Sequence, residues 1–486
     1  MSATGLGQPP DSGSRVVAAS AVVVMVGAAI YLGHRSGIVA GAAALAAEAC
    51  ALLLLGNAKL ALLAFIVVGV VAEDDPTWGI NLSSVYDHGT AQPSLFEALE
   101  ALAVIAVLLY LVSTRLEPRS PRPFGMPLAL TALALVGGLL QGIGSGVTAP
   151  SALLGTVQST VPLLVVPPLV VNVIRSPGQL RRALAIGAVL AGFKAIAGLF
   201  VVVAGLAAVQ GSFGRITYFQ PPANLLLMLF VLAMLVAWLS RTRVPAWTQW
   251  LVPLAIAALL LSFRRTIWLG TAVAAPVLVV AASGRVGRRF IVPATAVAAV
   301  VAYIVLSTGI GGGLQGSLVT RAESISLAKI SQSQQDRYRI DERRNVWAAI
   351  EHSPITGLGI GVPWPIRYPL GIDFPDQTDF THIAAFFWWM KMGLIGLIAY
   401  VSLLAATIMT GIAVWRRHHD PQIRVFGLAG AGLAIGLAVV ELANTVLGDS
   451  ERGTALFAVL IGLLAAAYGQ LGAHPDRETA DTVDDL

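Results

Sequence analysis

The chain has 486 residues, of which 56% are hydrophobic and only 12% are charged, and its net charge is +5. A soluble domain normally carries about 25% charged residues, so lipid must solvate most of this chain. Open sheet edges cannot face hydrocarbon, and the apolar runs are too long for barrel strands. We therefore predict an all-α polytopic membrane protein. The basic residues lie in short turns, which favours insertion topology over nucleic-acid binding.

A membrane-spanning helix needs about 20 apolar residues, and apolar runs recur along most of the chain. They predict about 12–14 transmembrane helices, near residues 16–32, 37–55, 59–72, 95–113, 127–141, 150–174, 183–209, 222–240, 247–263, 266–282, 290–306, 383–414, 424–445 and 453–471. The chain then divides into a polar tail (1–15), an N-terminal transmembrane bundle (16–306), a large loop (307–381), C-terminal transmembrane helices (382–471) and an acidic tail (472–486). The large loop separates the last-but-three helix from the last-but-two.

The distribution of Lys and Arg predicts which side the large loop faces. With the N-terminus in the cytoplasm, the short inner loops hold 15 of the 31 Lys and Arg residues, whereas the short outer loops hold 5. Cytoplasmic loops are enriched in these residues, so we expect both termini inside and the 307–381 loop outside. Arginine far outnumbers lysine in this Ala-, Val- and Gly-rich chain, which is typical of GC-rich bacteria. The predicted location is a bacterial cytoplasmic membrane.

The outer loop is predicted to have structure of its own. Residues Gln334–His352 have the pattern of a helix, with an apolar stripe formed by Ile340, Val346, Trp347 and Ile350. Pro354 would end this helix. The segment Gly357–Pro375 is rich in Gly and Pro, which deny it a regular helix or strand, so we predict a folded loop there.

One histidine is a candidate for proton transfer. Of the seven histidines, His382 alone lies at the outer membrane boundary beside the large loop. An imidazole can take a proton from a hydroxyl near neutral pH. Asp379 precedes it by three residues and could cap the following helix or orient the imidazole. The alternative is a histidine that merely sits at the membrane interface.

Arginines also gather on the predicted outer side, at Arg215, Arg264, Arg265, Arg339, Arg343 and Arg344. A spacing of four places Arg339 and Arg343 on one helix face. Guanidinium groups bind phosphate oxygens in a bidentate manner, so these residues are candidate binders of a phosphorylated substrate. Arg264 and Arg265 could equally extend to lipid headgroups at the membrane boundary.

Other polar residues support weaker hypotheses about function. Lys194, Glu441 and Glu48 lie inside apolar runs, where charge suggests function, although a Lys194–Glu441 ion pair is the simpler expectation. The acidic stretch Glu73-Asp74-Asp75 could be a general base, a metal site or a solvated loop. No His/Cys cluster with metal-ligand spacing and no phosphate-binding P-loop is present, so we expect neither metal nor cofactor.

Several short motifs resemble the O-antigen ligase family, which includes O-antigen ligases and related polysaccharide polymerases. They are SFRRTIWL at Ser262–Leu269, RRNVW at Arg343–Trp347, HSPITGLG at His352–Gly359, and His382 followed by MGLIG at Met392–Gly396. A weaker match joins Arg215 to Pro222-Ala-Asn224. The resemblance covers roughly residues 210–400. Two departures are Ile383, where the family usually has Asn, and the additional Arg264.

This resemblance implies a metal-independent membrane glycosyltransferase with a GT-C-like all-helical architecture. The donor would be a lipid-linked oligosaccharide on an undecaprenyl-pyrophosphate-type carrier, and the acceptor a hydroxyl of a glycan, lipid or protein. By the same resemblance, Arg215, Arg265 and Arg343 would bind the pyrophosphate, and His382 would act as general base on the acceptor or orient it.

Two other functions stay open at the level of sequence. A transporter or flippase for a lipid-linked saccharide or another anion would use the arginines as a translocation path. Such a protein needs polar groups at mid-membrane depth, where only Glu48, Lys194 and Glu441 qualify. A non-catalytic scaffold of an envelope-assembly complex would tolerate changes both to these residues and to His382.

Overall fold

A computed structural model describes residues 50–51, 53–71, 94–203, 209–210, 215–216, 221–262, 264–283, 334–370, 378–448 and 450–471. Within these ranges the helices are α1 (Ala58–Val71), α2 (Leu95–Thr114), α3 (Gly125–Gly144), α4 (Pro150–Val173), α5 (Pro177–Val203), α6 (Pro221–Leu239), α7 (Ala246–Leu261), α8 (Arg265–Ala282), α9 (Gln334–His352), α10 (Ala384–Arg417), α11 (Pro421–Val440) and α12 (Glu451–Gly469). Two strands of two residues each, β1 (Val209–Gln210) and β2 (Arg215–Ile216), pair antiparallel between α5 and α6.

All helices except α9 coincide with predicted apolar runs. Among the described residues, nine helices are long and apolar enough to cross a membrane, and α1 and α7 are shorter apolar helices. The all-helical polytopic prediction is confirmed to that extent. The runs near 16–32 and 290–306, most of the run 37–55, and both tails lie outside the described residues. The total of 12–14 transmembrane helices therefore stays a prediction.

The chain divides into two compact units. One comprises residues 1–61 and 101–116, and the other comprises residues 62–100 and 117–486. In the first unit, α2 ends in a turn at Arg115, whose φ is +52°. The second unit contains most of the described helices and all the residues that carry the arguments below.

The core of the second unit is organised around α11. This helix packs against α10, α8 and α6, while α12 packs against α4. The side of α11 that faces its neighbours is built from small residues, among them the buried Gly427, Gly430, Gly432 and Gly436. Small residues let helix backbones approach closely, which is the main source of packing energy between helices in lipid. The long helix α10 is thereby fixed along most of its length.

A break in α10 shapes the region around the large loop. Gly393 has φ +68° and ψ −163°, so the helix is interrupted one-quarter of the way along its 34 residues. The segment after α9 takes over the interrupted hydrogen bonds: Leu358 N–H donates to the carbonyl of Met390 at 2.7 Å, and Leu394 N–H donates to that of Ile355 at 3.0 Å. Gly357, with φ +72°, makes the turn that allows this approach.

The helix α9 is attached to the same place. Its residues Val346, Ala349 and Ile350 form a buried apolar cluster with Trp364 and with Met390 of α10. The prediction of a helix over Gln334–His352 is confirmed, with the same bounds. The predicted absence of helix and strand after Gly357 is also confirmed as far as residue 370.

The predicted Lys194–Glu441 ion pair is not among the ion pairs of the described residues. The Lys194 ammonium instead donates to the carbonyl of Val71, at the end of α1, at 3.2 Å. The Glu441 carboxylate accepts the backbone N–H groups of Val446 and Leu447 at 3.0 and 2.7 Å. Each charged side chain therefore forms hydrogen bonds with backbone groups that have no partner within their own helix end or turn. Glu48, Glu73, Asp74 and Asp75 lie outside the described residues.

Candidate active site

The structure places a carboxylate against the imidazole of His382, and it comes from α9. Glu342 Oε2 lies 3.0 Å and Oε1 3.2 Å from His382 Nδ1. The same carboxylate accepts the backbone N–H of His382 at 3.1 Å. The Glu342 side chain is only 2% exposed, whereas that of His382 is 25% exposed. A buried carboxylate therefore holds an imidazole that is itself one-quarter exposed.

The pairing has a chemical consequence. A carboxylate on Nδ1 favours the tautomer with the proton on that nitrogen, so Nε2 is the nitrogen that can accept a proton. The negative charge of Glu342 also stabilises the imidazolium that forms when Nε2 becomes protonated. This arrangement is that of a general base with an orienting acid.

Aromatic rings enclose the imidazole. Phe380 packs edge-on against His382 with ring centroids 4.9 Å apart, and Tyr338 does so at 6.2 Å. Burial, with the nearby charge of Glu342 adding to it, raises the pKa of Tyr338 to about 12. The phenol is therefore neutral at physiological pH and adds no second negative charge beside the Glu342–His382 pair.

Hydrogen bonds hold the loop after α9 and the segment that carries Phe380. Asn345, which is fully buried, accepts the N–H groups of Arg367 and Tyr368 at 2.7 and 2.8 Å. The N–H of Trp364 donates to the Thr378 carbonyl at 2.7 Å, and its indole N–H donates to that of Phe380 at 2.8 Å. These contacts connect α9, the loop and the segment before His382 into one ordered structure.

A second set of hydrogen bonds relates the Arg265 region to the histidine. Asn444 donates to the hydroxyl of Thr266 at 2.7 Å, and the hydroxyl of Thr445 donates to the carbonyl of Thr381 at 2.6 Å. Asn444 and Thr445 are consecutive, and they bind the immediate neighbours of Arg265 and His382. The N-terminus of α8 and the start of α10 therefore meet at the turn that follows α11.

The predicted arginines lie in three elements. Arg264 is the N-cap residue of α8, and Arg265 is its first residue, both half-buried. On α9, Arg339 is half-buried and Arg343 is exposed, next to Glu342 in sequence, and Arg344 pairs with Asp341 at 3.4 Å. Arg215 is part of strand β2. The structure brings α9 and the start of α8 to the same end of the bundle as His382.

The proposed capping role of Asp379 is wrong. The helix α10 begins at Ala384 with Ile383 as its N-cap residue, and no side chain caps it. Asp379 is exposed, and the carboxylate on the imidazole belongs to Glu342, 40 residues earlier in the chain. Proximity in sequence suggested the wrong acid because the histidine is oriented by a different helix.

Sequence reasoning missed Glu342 and Asn345. Both lie on the face of α9 that also carries the buried Tyr338, Val346 and Ala349. A helical spacing of three to four residues relates all five, so a polar residue at a core position was the available signal. Among the described residues, no group of three or more His, Cys, Asp or Glu could hold a metal ion.

The comparison with protein families agrees with this geometry. Residues 250–401 match the family described as O-antigen ligase. The matched segment, less than half of the chain, includes α8, α9, Glu342, His382 and the break in α10. No match was found among curated proteins. The resemblance inferred from the motifs is confirmed: residues 250–401 of this chain are similar to the O-antigen ligase family.

Proposed function

We propose that this protein is a membrane glycosyltransferase that moves a glycan from an undecaprenyl-pyrophosphate-type lipid donor to an acceptor hydroxyl, outside the cytoplasmic membrane. The observation that carries the proposal is the Glu342–His382 pair within an O-antigen ligase domain. A buried acid that orients a partly exposed imidazole is an arrangement suited to proton abstraction.

The reaction assigned to the pair is a displacement at the anomeric carbon of the donor. His382 Nε2 takes the proton of the acceptor hydroxyl, and the acceptor oxygen forms a bond to the anomeric carbon. The bond between that carbon and the pyrophosphate oxygen breaks, and the lipid pyrophosphate leaves with the electron pair. Glu342 stabilises the imidazolium until its proton is released.

The arginines are assigned to the leaving group. Negative charge grows on the pyrophosphate as the glycosidic bond breaks, and guanidinium groups stabilise such charge strongly where water is excluded. Arg343 follows Glu342 directly, and the hydroxyl of Thr266 beside Arg265 is connected to the His382 segment through Asn444 and Thr445. We assign Arg215, Arg265 and Arg343 to the pyrophosphate, and Arg264, Arg339 and Arg344 to secondary contacts with the substrate.

The orientation in the membrane is part of the proposal. His382 precedes α10, and Arg416 and Arg417 end it, so the basic residues lie at the end of α10 opposite the candidate site. The positive-inside rule then places the site outside and both termini inside. A GT-C-like architecture, with the 307–381 loop over the outer end of the bundle, fits this placement.

The test is the substitution His382→Ala in the native host, with His352→Ala as a matched control. His352 is an exposed histidine in the same domain, at the end of α9. We expect His382→Ala to abolish the surface glycan product while the protein stays inserted at its normal level. His352→Ala should leave the product unchanged. A normal glycan in the His382→Ala strain would exclude the proposal.

The structure of the surface glycan in the mutant strain also distinguishes a ligase from a polymerase. Loss of one linkage with chains of normal length would identify a ligase, whereas shortened chains would identify a polymerase. Transport is less well supported by the described residues, because Lys194 binds a backbone carbonyl at the end of α1 and Glu441 binds backbone N–H groups of the turn after α11. If neutralising both residues stopped activity while the His382→Ala protein still worked, transport would replace glycosyl transfer.

A further inference from the structure

The end of the bundle opposite His382 has a polar cleft of its own. It has a volume of about 470 Å³ and is lined by residues from three places, namely the first turns of α5 and α11 and the connection between α6 and α7. The lining residues include three arginines, Arg181, Arg241 and Arg243, together with the hydroxyls of Ser240 and Thr242. The positive-inside rule places this cleft at the cytoplasmic leaflet.

The connection between α6 and α7 is held in a defined conformation. Arg241 has φ +54°, a value that side-chain-bearing residues rarely adopt. The turn is closed by the Thr242 N–H, which donates to the carbonyl of Ala237 at 2.9 Å, and by a hydroxyl contact between Ser240 and Thr242 at 2.8 Å. Gln422 of α11 donates to the carbonyl of Arg243 at 3.3 Å. The arginines are thus presented by an ordered turn.

The charge of the cleft is positive. Its one acidic residue, Asp420, is paired with Arg181 at 3.2 Å and also accepts the N–H groups of Gln422 and Ile423 as the N-cap of α11. Arg241 and Arg243 add two further guanidinium groups. The helix α7 begins nearby at Ala246 without a side-chain cap, so its N-terminal dipole contributes positive potential to the same region. The cleft therefore favours an anion.

Exposed tryptophans before and after the α6–α7 connection indicate the depth of the cleft in the membrane. Trp238 precedes the α6–α7 connection and is 52% exposed, while Trp247 and Trp250 follow it and are 41% and 79% exposed. Indole rings are enriched at the level of the lipid headgroups. A positively charged cleft at that depth lies where phosphates of the membrane lipids are available, in contrast to a site for a soluble anion.

We propose that the cleft formed by Arg181, Arg241, Arg243 and the Ser240 and Thr242 hydroxyls binds the phosphodiester headgroup of an anionic phospholipid. Arg241 and Arg243 bind the phosphate oxygens, and the acyl chains lie along the exposed tryptophans. Basic pockets between membrane helices on the cytoplasmic side are suited to such lipids. This site is independent of the glycosyl-transfer chemistry at the other end of α10.

The test uses the full chain purified in detergent and titrated with short-chain phosphatidylglycerol. Short-chain phosphatidylcholine serves as the zwitterionic lipid, and inorganic phosphate serves as the anion without acyl chains. Binding is measured by native mass spectrometry and by the rise in Tm. We expect phosphatidylglycerol to bind at least roughly tenfold more tightly than either of the other two ligands.

The double substitution Arg241→Gln/Arg243→Gln should weaken phosphatidylglycerol binding roughly 30-fold, since each basic residue near an anionic lipid surface contributes about a fivefold effect. The matched control is Arg416→Gln/Arg417→Gln, two exposed arginines at the same end of α10 that do not line the cleft. The single substitution Arg243→Gln repeats the test with a smaller change.

Three results would overturn the proposal. Equal weakening by both double substitutions would mean that general positive charge, and not the cleft, binds the lipid. Equal binding of phosphatidylcholine would exclude recognition of net negative charge. Inorganic phosphate binding as tightly as phosphatidylglycerol would replace the lipid site with a site for soluble phosphate.

Discussion

The two faces of α9 place their charged residues in different environments. On the buried face, the carboxylate of Glu342 is 2% exposed and has a definite partner in His382. On the other face, Arg343 and Arg344 are exposed, and the contact of Arg344 with Asp341 is a surface ion pair. A buried charge acts strongly because no water screens it, whereas an exposed one acts mainly on what approaches from outside. One helix thus provides both an orienting acid and candidate substrate contacts.

The largest expected effect comes from Glu342→Gln. The amide keeps the size of the side chain but loses the charge that stabilises the imidazolium, so we expect glycosyl transfer to fall by about 10²- to 10⁴-fold. The measurement is the rate of transfer in vitro with a lipid-linked donor. Glu351→Gln is the control on the exposed face, and its activity should stay within about twofold, as expected for a surface substitution. If Glu342→Gln and Glu351→Gln lowered the transfer rate equally, the buried face of α9 would have no special role in activity.

An intermediate effect, on stability, is expected from Gly393→Ala. The added Cβ would lie 2.1 Å from the carbonyl oxygen of Ile355, at a residue with φ +68°. We expect a loss of about 2–4 kcal/mol in the free energy of unfolding. The measurement is denaturant-induced unfolding in detergent micelles.

Gly137→Ala is the matched control for that substitution, because a Cβ there meets no atom within 4 Å. Its effect should be below about 1 kcal/mol, and within a helix it should favour stability. An unchanged stability of Gly393→Ala would show that the segment after α9 does not depend on the break in α10.

The smallest effect is expected from Arg344→Gln. The Arg344 side chain is 61% exposed and its contact with Asp341 is 3.4 Å long, so the pair should contribute at most about 0.5 kcal/mol to stability. Thermal unfolding is the measurement. A larger loss of stability would mean that the exposed face of α9 is structural. With stability unchanged, any fall in transfer rate reports directly on substrate binding.

Hydropathy predicted most of the described fold. The apolar runs lie within a few residues of the membrane helices, because a membrane helix must be apolar over its whole length. Apolar periodicity predicted the position of α9 and part of its buried face, since Val346 and Ile350 are buried. The expected stripe included Ile340 and Trp347, yet Trp347 is 41% exposed and Glu342 is buried. Apolar periodicity cannot detect a buried carboxylate, because the partner that makes its burial possible lies elsewhere in the chain.

The candidate site could be predicted only in part, because its two residues come from different helices. His382 was identifiable from its place at a helix start, whereas its acid lies 40 residues earlier on another helix. The break at Gly393 could not be predicted from the single apolar run 383–414, since a glycine in such a run is compatible with a straight helix. Its partner, the segment around Gly357, is close only in the folded protein.

The exchange of hydrogen bonds at Gly393 also has a consequence for assembly. The Met390 carbonyl and the Leu394 N–H receive partners from Leu358 and Ile355, so in the bent α10 both groups are paired only after the segment that follows α9 has folded onto it. An unpaired peptide group in lipid is costly. We therefore expect α10 to insert first as an ordinary straight helix and to bend when the segment after α9 packs against it. The protein would then assemble in two stages, insertion of α10 followed by docking of the segment after α9. The region around His382 would be complete only after the second stage.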